Sequence, residues 1–353
     1  MATNTSERIS NLVRPLVKTL KPYSSARDEF KATGEDFIFL DANENPNPSD
    51  VHRYPDPHQQ ELKNIVSRLH NITTDRILFG NGSDEVLDLL VRTFIEPNTD
   101  KTICLPPTFG MYKVLSNLHG AELVEIPLDS NWQPDVQVIL KAANEKTKLL
   151  FLCSPNNPTG QSLDANRVVE LLEKFPGLVV VDEAYIDFAE HPGFVPLLEK
   201  YANLVIIQTF SKAYGLAGMR LGLCMAHPEV IGYLKRIKLP YNVGELSQRR
   251  AAKVLLNQEN IKAEVEQIRI ERQRLHDELT QISFVLSVFP SDSNFLLLRV
   301  DDAAKRYQQM VERGLVVRNT SGYLNLENTL RITVGTVDEN NQALKIFKSL
   351  PSS

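Results

Sequence analysis

Six short apolar runs recur through the first two thirds of the chain, at residues 77–79 (ILF), 102–105 (TICL), 149–153 (LLFLC), 178–182 (LVVVD), 204–209 (LVIIQT) and 221–225 (LGLCM). None of them alternates apolar with polar residues, as a strand with one wet face would. Runs this short, continuous and rich in Val and Ile suit strands buried on both faces. Such a sheet needs helices over it, and the intervening segments are long enough to supply them. Asp84 to Ile95 is one, opening at a cap on Ser83 or Asp84, and Asp164 to Phe175 is another. The expected architecture is α/β, with a mostly parallel mixed sheet covered by helices.

The pattern changes after Asn242. Residues 245–281 read as helix, with Ile261, Val265, Ile268, Leu275, Leu279 and Ile282 spaced for one buried face. A coiled coil is the weaker alternative, because Arg272 interrupts the repeat. Beyond it, FVLSVFP, NFLLLRV, LVVRN and LRITVG read as strands of a smaller α+β unit. The expected division is an N-terminal segment at 1–36 packing near the active site, a large domain at 37–244 and a small C-terminal domain at 245–353.

Composition excludes several function classes. The chain of 353 residues carries 39 basic and 44 acidic side chains, a net charge of −5 with the signs mixed along its length. A nucleic-acid surface needs clustered Lys and Arg, and none is visible. No apolar run approaches the roughly 20 residues that span a bilayer, and the first residues lack the apolar core of a secretory signal. Cys104, Cys153 and Cys224 lie far apart beside apolar runs and read as reduced core residues. The histidines show no metal-binding spacing. A cytoplasmic enzyme is expected.

Four motifs fall at strand ends, where open α/β sheets place their ligands. Gly80-Asn81-Gly82-Ser83-Asp84 sits between a strand and a helix, where flexible backbone and a helix N-terminus can receive an anion; a plain turn would look similar. Ser154-Pro155-Asn156-Asn157-Pro158-Thr159-Gly160 follows the third run, with Asn157 held extended by the following proline and its amide able to donate to a ring oxygen. In Val181-Asp182-Glu183-Ala184-Tyr185, Asp182 ends a buried strand and needs a cationic partner, either a pyridinium nitrogen or an arginine. The fourth motif runs from Thr209 to Gly222 (TFSKAYGLAGMRLG). There Lys212 stands among small and apolar residues that lower an amine's pKa and expose it as a nucleophile. Ser211 and Arg220 are placed to donate to a phosphate.

In the order and spacing of PNNPTG, DEAY and SKAYGLAGMRLG, the sequence resembles the fold-type I pyridoxal-phosphate (PLP) dependent aminotransferases over nearly its whole length. The resemblance implies that Lys212 carries the cofactor as a Schiff base and moves the proton at the substrate α-carbon. It implies that Asp182 pairs with the pyridinium nitrogen, which keeps the ring an electron sink. Asn157 and Tyr185 would bond the ring's phenolic oxygen, and Ser83, Asp84, Ser211 and Arg220 would lie at the phosphate. The stretches LKPY (20–23), LDANEN (40–45), RYP (53–55), PPTFGMY (106–112) and LRITVG (330–335) narrow the likeness to the histidinol-phosphate aminotransferase family. On that likeness the substrates are histidinol phosphate and 2-oxoglutarate or glutamate, in ping-pong exchange. Phe109 would stack on the pyridine ring without the hydroxyl of the Tyr often found there. Tyr54 would reach the cofactor phosphate of a partner subunit, which implies a homodimer with shared sites. Arg331, Arg318, Tyr23 and Asn43 would bind substrate. Asp41, where Asn is more usual, is given no role.

Three rival functions share parts of this pattern: a threonine-phosphate decarboxylase, an aromatic-amino-acid aminotransferase, and a non-catalytic PLP-binding regulator. The last would need a DNA-binding domain, for which the segment before Phe37 is too short.

Overall fold

A computed structural model describes residues 5–21 and 37–351 of the chain. The six apolar runs form strands β1 (Ile77–Asn81), β2 (Lys101–Cys104), β4 (Thr147–Cys153), β5 (Leu178–Asp182), β6 (Leu204–Thr209) and β7 (Leu221–Ala226). A seventh strand, β3 (Glu122–Glu125), completes the sheet in the order β1-β7-β6-β5-β4-β2-β3. Sequence pattern missed β3 because it is a short edge strand, ELVE, with no fully buried residue. Only β7 runs against its neighbours; β2, β3, β4, β5 and β6 pair in parallel.

Successive side chains of a strand point to opposite faces, and here both faces are dry. Leu149 and Phe151 of β4 join Val180, Val205 and Ile207 on one side, while Leu150 and Leu152 join Val179, Val181 and Ile206 on the other. That is why the runs show no alternation. The helix Ser83–Phe94 lies over the first face, and the helix Ala165–Lys174 packs on the second through Val168, Leu171 and Leu172. The latter starts where expected, its first N–H groups capped by the Asp164 side chain at 2.8 and 3.1 Å.

The start of the other helix differs from expectation. Neither Ser83 nor Asp84 caps it; Gly82 precedes it with φ +80° and no side-chain cap. The described part of the N-terminal stretch packs on the large sheet's first face. Ile9, Leu12, Val13 and Val17 join the first core face, and the Arg14 N–H bonds the Thr93 carbonyl at 3.0 Å. Arg14 thus sits at the C-terminal end of the helix Ser83–Phe94, while the Val17 and Lys18 carbonyls accept from Arg236 of the helix Pro228–Ile237; Tyr23 lies outside the described residues.

The second sheet is antiparallel throughout, in the order β10-β11-β9-β8, from β8 (Val285–Val288), β9 (Phe295–Val300), β10 (Arg318–Asn319) and β11 (Thr329–Thr333). Residues 245–281 form two helices, Glu245–Leu255 and Gln258–Thr280, interrupted at Leu256 and Asn257. Ala251, Ala252 and Leu255 of the first enter the large sheet's core, while Leu275 and Leu279 of the second enter the small one. Packing thus passes from the large sheet's core to the small one's between Leu255 and Leu275. Midway along it, Arg269 donates to the carbonyls of Asp187, Phe188 and Ala189, and Arg272 to those of Phe188 and Ser293. The bonds to Asp187, Phe188 and Ala189 tie this helix to the turn that follows β5.

Candidate active site

β7 is antiparallel to both β1 and β6, so β1, β4, β5 and β6 all end on one edge of the sheet. Open α/β sheets bind ligands at this edge. A cavity of about 250 Å³ opens there, lined from the loops after these strands by Ser83, Asp84, Asn157, Asp182, Tyr185, Ser211, Lys212 and Arg220. Phe109 enters from the loop after β2, and Arg331 from β11 of the small sheet.

One end of the cavity is built to receive an anion. Gly82 turns at φ +80°, and a side chain there would come within 2.7 Å of Arg220 Nη2. Gly222 lets β7 pass under the same turn, since a Cβ would stand 2.3 Å from the Ser83 nitrogen. Two glycines thus let the guanidinium of Arg220 lie over the uncapped start of the helix Ser83–Phe94. Asp84 holds that guanidinium at 3.4 Å. Ser211, beside them, lines the same cavity.

Asp182 is 3% exposed. Its Oδ2 accepts from the Tyr112 hydroxyl at 2.8 Å and its Oδ1 from the Ala184 N–H at 3.1 Å. Burial pushes its carboxyl up to about 6, against the pull of these donors and of Lys212. Among the described residues no Arg bonds Asp182; its partners there are Tyr112 and Ala184. Lys212 borders the open cavity with its amine 5.6 Å from the centre of the Tyr185 ring. Its pKa is lowered first by desolvation and then by Arg331, with Asp182 and Asp84 opposing. The charge of Arg331 thus adds to the desolvation that the sequence predicts for Lys212.

Tyr185 is buried and meets Phe295 of β9 edge-on at 5.2 Å. Arg331 lies over the same Phe295 ring at 5.0 Å and donates to the Asn157 side-chain oxygen. Phe109 touches Tyr112 edge-on at 5.6 Å. Tyr112 itself had no assigned role, although it lies in the quoted PPTFGMY stretch; an aromatic at the start of an apolar helix reads as core until its hydroxyl is located.

Three expected site residues lie apart from Lys212. Tyr54 and Asn43 border a separate cavity of about 620 Å³ with Glu44, Arg53 and Ser247. Tyr54 stacks there on Tyr241 at 4.5 Å and is 52% exposed. Arg318 is exposed and stands directly across the ladder from Arg331, outside the Lys212 cavity.

The donor set fits a phosphorylated pyridine carbonyl compound such as PLP. A buried carboxylate suits a protonated ring nitrogen, an amine of lowered pKa suits a carbonyl carbon, and the glycine-lined turn under Arg220 suits a phosphate. A lysine, a carboxylate and an anion cradle at the carboxyl edge of this sheet define an enzyme of amino-group chemistry on the fold-type I scaffold. The chain belongs to the family of class I and II aminotransferases, whose model matches residues 37–347. It is 51% identical over 342 residues to the histidinol-phosphate aminotransferase of Christiangramia forsetii, covering 97% of this chain and 98% of that one. To the histidinol-phosphate aminotransferase of Flavobacterium johnsoniae it is 52% identical over 347 residues, with the same coverage, 97% and 98%. The crystal structure of histidinol-phosphate aminotransferase from Sinorhizobium meliloti in complex with pyridoxal-5'-phosphate superposes with a TM-score of 0.77 at 25% identity, covering 86% and 84% of the two chains.

Proposed function

We propose that this chain is a PLP-dependent aminotransferase that converts L-histidinol phosphate and 2-oxoglutarate to imidazole-acetol phosphate and L-glutamate, a step of histidine biosynthesis. The observation that carries the reading is the convergence of Lys212, Asp182 and Arg331 on one cavity, in a chain with about half its residues identical to curated enzymes of that activity over 97% of its length.

When bound, PLP supplies a carbonyl that takes up the substrate's amino group and a ring that accepts the electrons left at the α-carbon. The residues do the rest. Asp182 keeps the ring nitrogen protonated. Asn157 and Tyr185 would hold the ring through its phenolic oxygen, and Phe109 would offer it an apolar face. Ser83, Ser211 and Arg220 bind the phosphate, with Asp84 steering the guanidinium. Lys212 takes the proton from the substrate α-carbon and returns it, a task for which its lowered pKa suits it. Arg331 receives the anionic end of either substrate, the phosphate of histidinol phosphate or a carboxylate of glutamate. A planar guanidinium pairs with both.

The enzyme works in the cytoplasm as a homodimer, with Tyr54 completing the partner's site. The exposure of Tyr54 and its distance from the Lys212 cavity of its own chain support this arrangement. The reading is tested by mixing the PLP-loaded protein with single amines and following the cofactor's absorbance. Histidinol phosphate and glutamate should each convert it. Turnover of L-threonine O-3-phosphate with carbon dioxide release and no amino acceptor would replace this reading with a decarboxylase.

A further inference from the structure

Asp182 is gripped by a residue that none of the four motifs contains. Tyr112 belongs to the helix Met111–Leu118 and is fully buried. Its ring stacks on Phe151 of β4 at 5.0 Å, with the planes 2° apart, and Phe109 meets it edge-on. Ring packing on two sides fixes where its hydroxyl points, and the hydroxyl donates to Asp182 Oδ2 at 2.8 Å.

A donor to a carboxylate favours the charged form, while burial disfavours it. The groups around Asp182 divide accordingly. Lys212 after β6 favours ionisation but is engaged with substrate during turnover. Asp84, from the start of the helix Ser83–Phe94, and Cys153 of β4 carry or would carry like charge, and the buried Glu183 adjoins it in the chain. The Ala184 N–H and the Tyr112 hydroxyl remain as fixed donors. Burial first, and then the charge of Asp182, push the Tyr112 phenol far above its ordinary value, so it stays a donor at every working pH.

We propose that Tyr112 is a positioning residue for the amino-transfer reaction, acting through Asp182: its hydroxyl keeps the carboxylate ionised and oriented, so that the cofactor's ring nitrogen stays protonated. This rests on the PLP reading above. The phenyl ring of a Tyr112→Phe variant keeps both ring contacts and loses only the O–H. The experiment measures dissociation constants of wild-type and variant apoprotein for PLP and for its carbocyclic analogue, in which CH replaces the ring nitrogen, from mildly acidic to mildly alkaline pH. Tyr112→Phe should bind PLP roughly tenfold more weakly or worse, the size of a hydrogen bond to a charged group. Its affinity should begin to fall at a higher pH on acidification than that of the wild type, and the analogue should bind both proteins equally. In an Asp182→Asn background the same change should have little further effect. The ¹⁵N shift of labelled cofactor should move toward the unprotonated value in Tyr112→Phe. Equal losses for PLP and the analogue would assign Tyr112 to packing alone and overturn the proposal, as would an unchanged PLP affinity at all pH. Failure of the wild-type protein to bind PLP would instead remove the reading beneath it.

Discussion

Arg331, on the central strand β11 of the small sheet, donates to the side-chain oxygen of Asn157, on the loop after β4 of the large one. The two residues are 174 positions apart in sequence. Their contact brings a side chain of the small sheet to the wall of the Lys212 cavity. The geometry of the cavity therefore depends on how the small sheet is seated against the large one.

Arg331→Lys keeps the charge but cannot present two parallel N–H groups to a phosphate or carboxylate. Both half-reactions should lose kcat/KM by about tenfold or more, as expected for loss of a charge-assisted bond. Arg318→Ala should weaken histidinol phosphate more than glutamate, because only the phosphate carries a second negative charge for the exposed Arg318 to meet. Single-substrate half-reaction kinetics separate the two, and equal losses for both substrates in Arg318→Ala would remove Arg318 from the specificity account.

Lys212→Ala should abolish multiple turnover while leaving the apoprotein's melting midpoint within about 2 °C of wild type, because the side chain borders an open cavity and makes no hydrogen bond or ion pair among the described residues that the fold would miss. Calorimetry of the apoprotein and a steady-state assay check the two halves. Near-normal turnover by the variant, without an added amine, would reassign the catalytic base.

Tyr54 should act across a subunit interface. Mixing Lys212→Ala with a Tyr54→Ala variant, each inactive in one essential part, should give hybrid dimers with one intact site and recover activity. Subunit exchange is verified by mass spectrometry of differently tagged chains. Exchange without recovered activity would place Tyr54 outside the partner's site.

Glu183 makes the pH dependence of the fold itself measurable. It is fully buried, accepting from the Phe194 N–H at 2.6 Å and the Gln208 amide at 2.9 Å. Burial pushes its carboxyl from an ordinary 4.5 up to about 7. The folded protein then binds this proton more tightly than the unfolded chain does. Its contribution to stability is full below the unfolded value and is lost as pH rises through the folded one. Glu183→Gln removes the titration and keeps the shape. The apoprotein melting midpoint of the variant, relative to wild type, should rise between about pH 5 and about pH 8. A constant difference across that window would show that Glu183 does not titrate there.

Much of this protein is local and so legible in its sequence. Strands β4, β5 and β6 are apolar on both faces because helices cover both, and composition records that directly. Lys212, Asp182, Asn157 and Ser83 follow strand ends within a few residues, so chain order alone carries them to one edge of the sheet. The contributions that needed the tertiary structure come from elsewhere in the chain. Tyr112 reaches Asp182 over 70 residues and Arg331 reaches Asn157 over 174; a side chain's partner across such separations is set by packing, which leaves no spacing in the sequence. The break at Leu256 and Asn257, the edge strand β3 and the packing of residues 5–21 were likewise hidden, because each is decided by which core the apolar residues join. The sequence by itself determined six of the large sheet's seven strands and which residues stand at their ends. The tertiary structure decided which neighbours tune them, because hydrogen bonds and desolvation act through space and not along the chain.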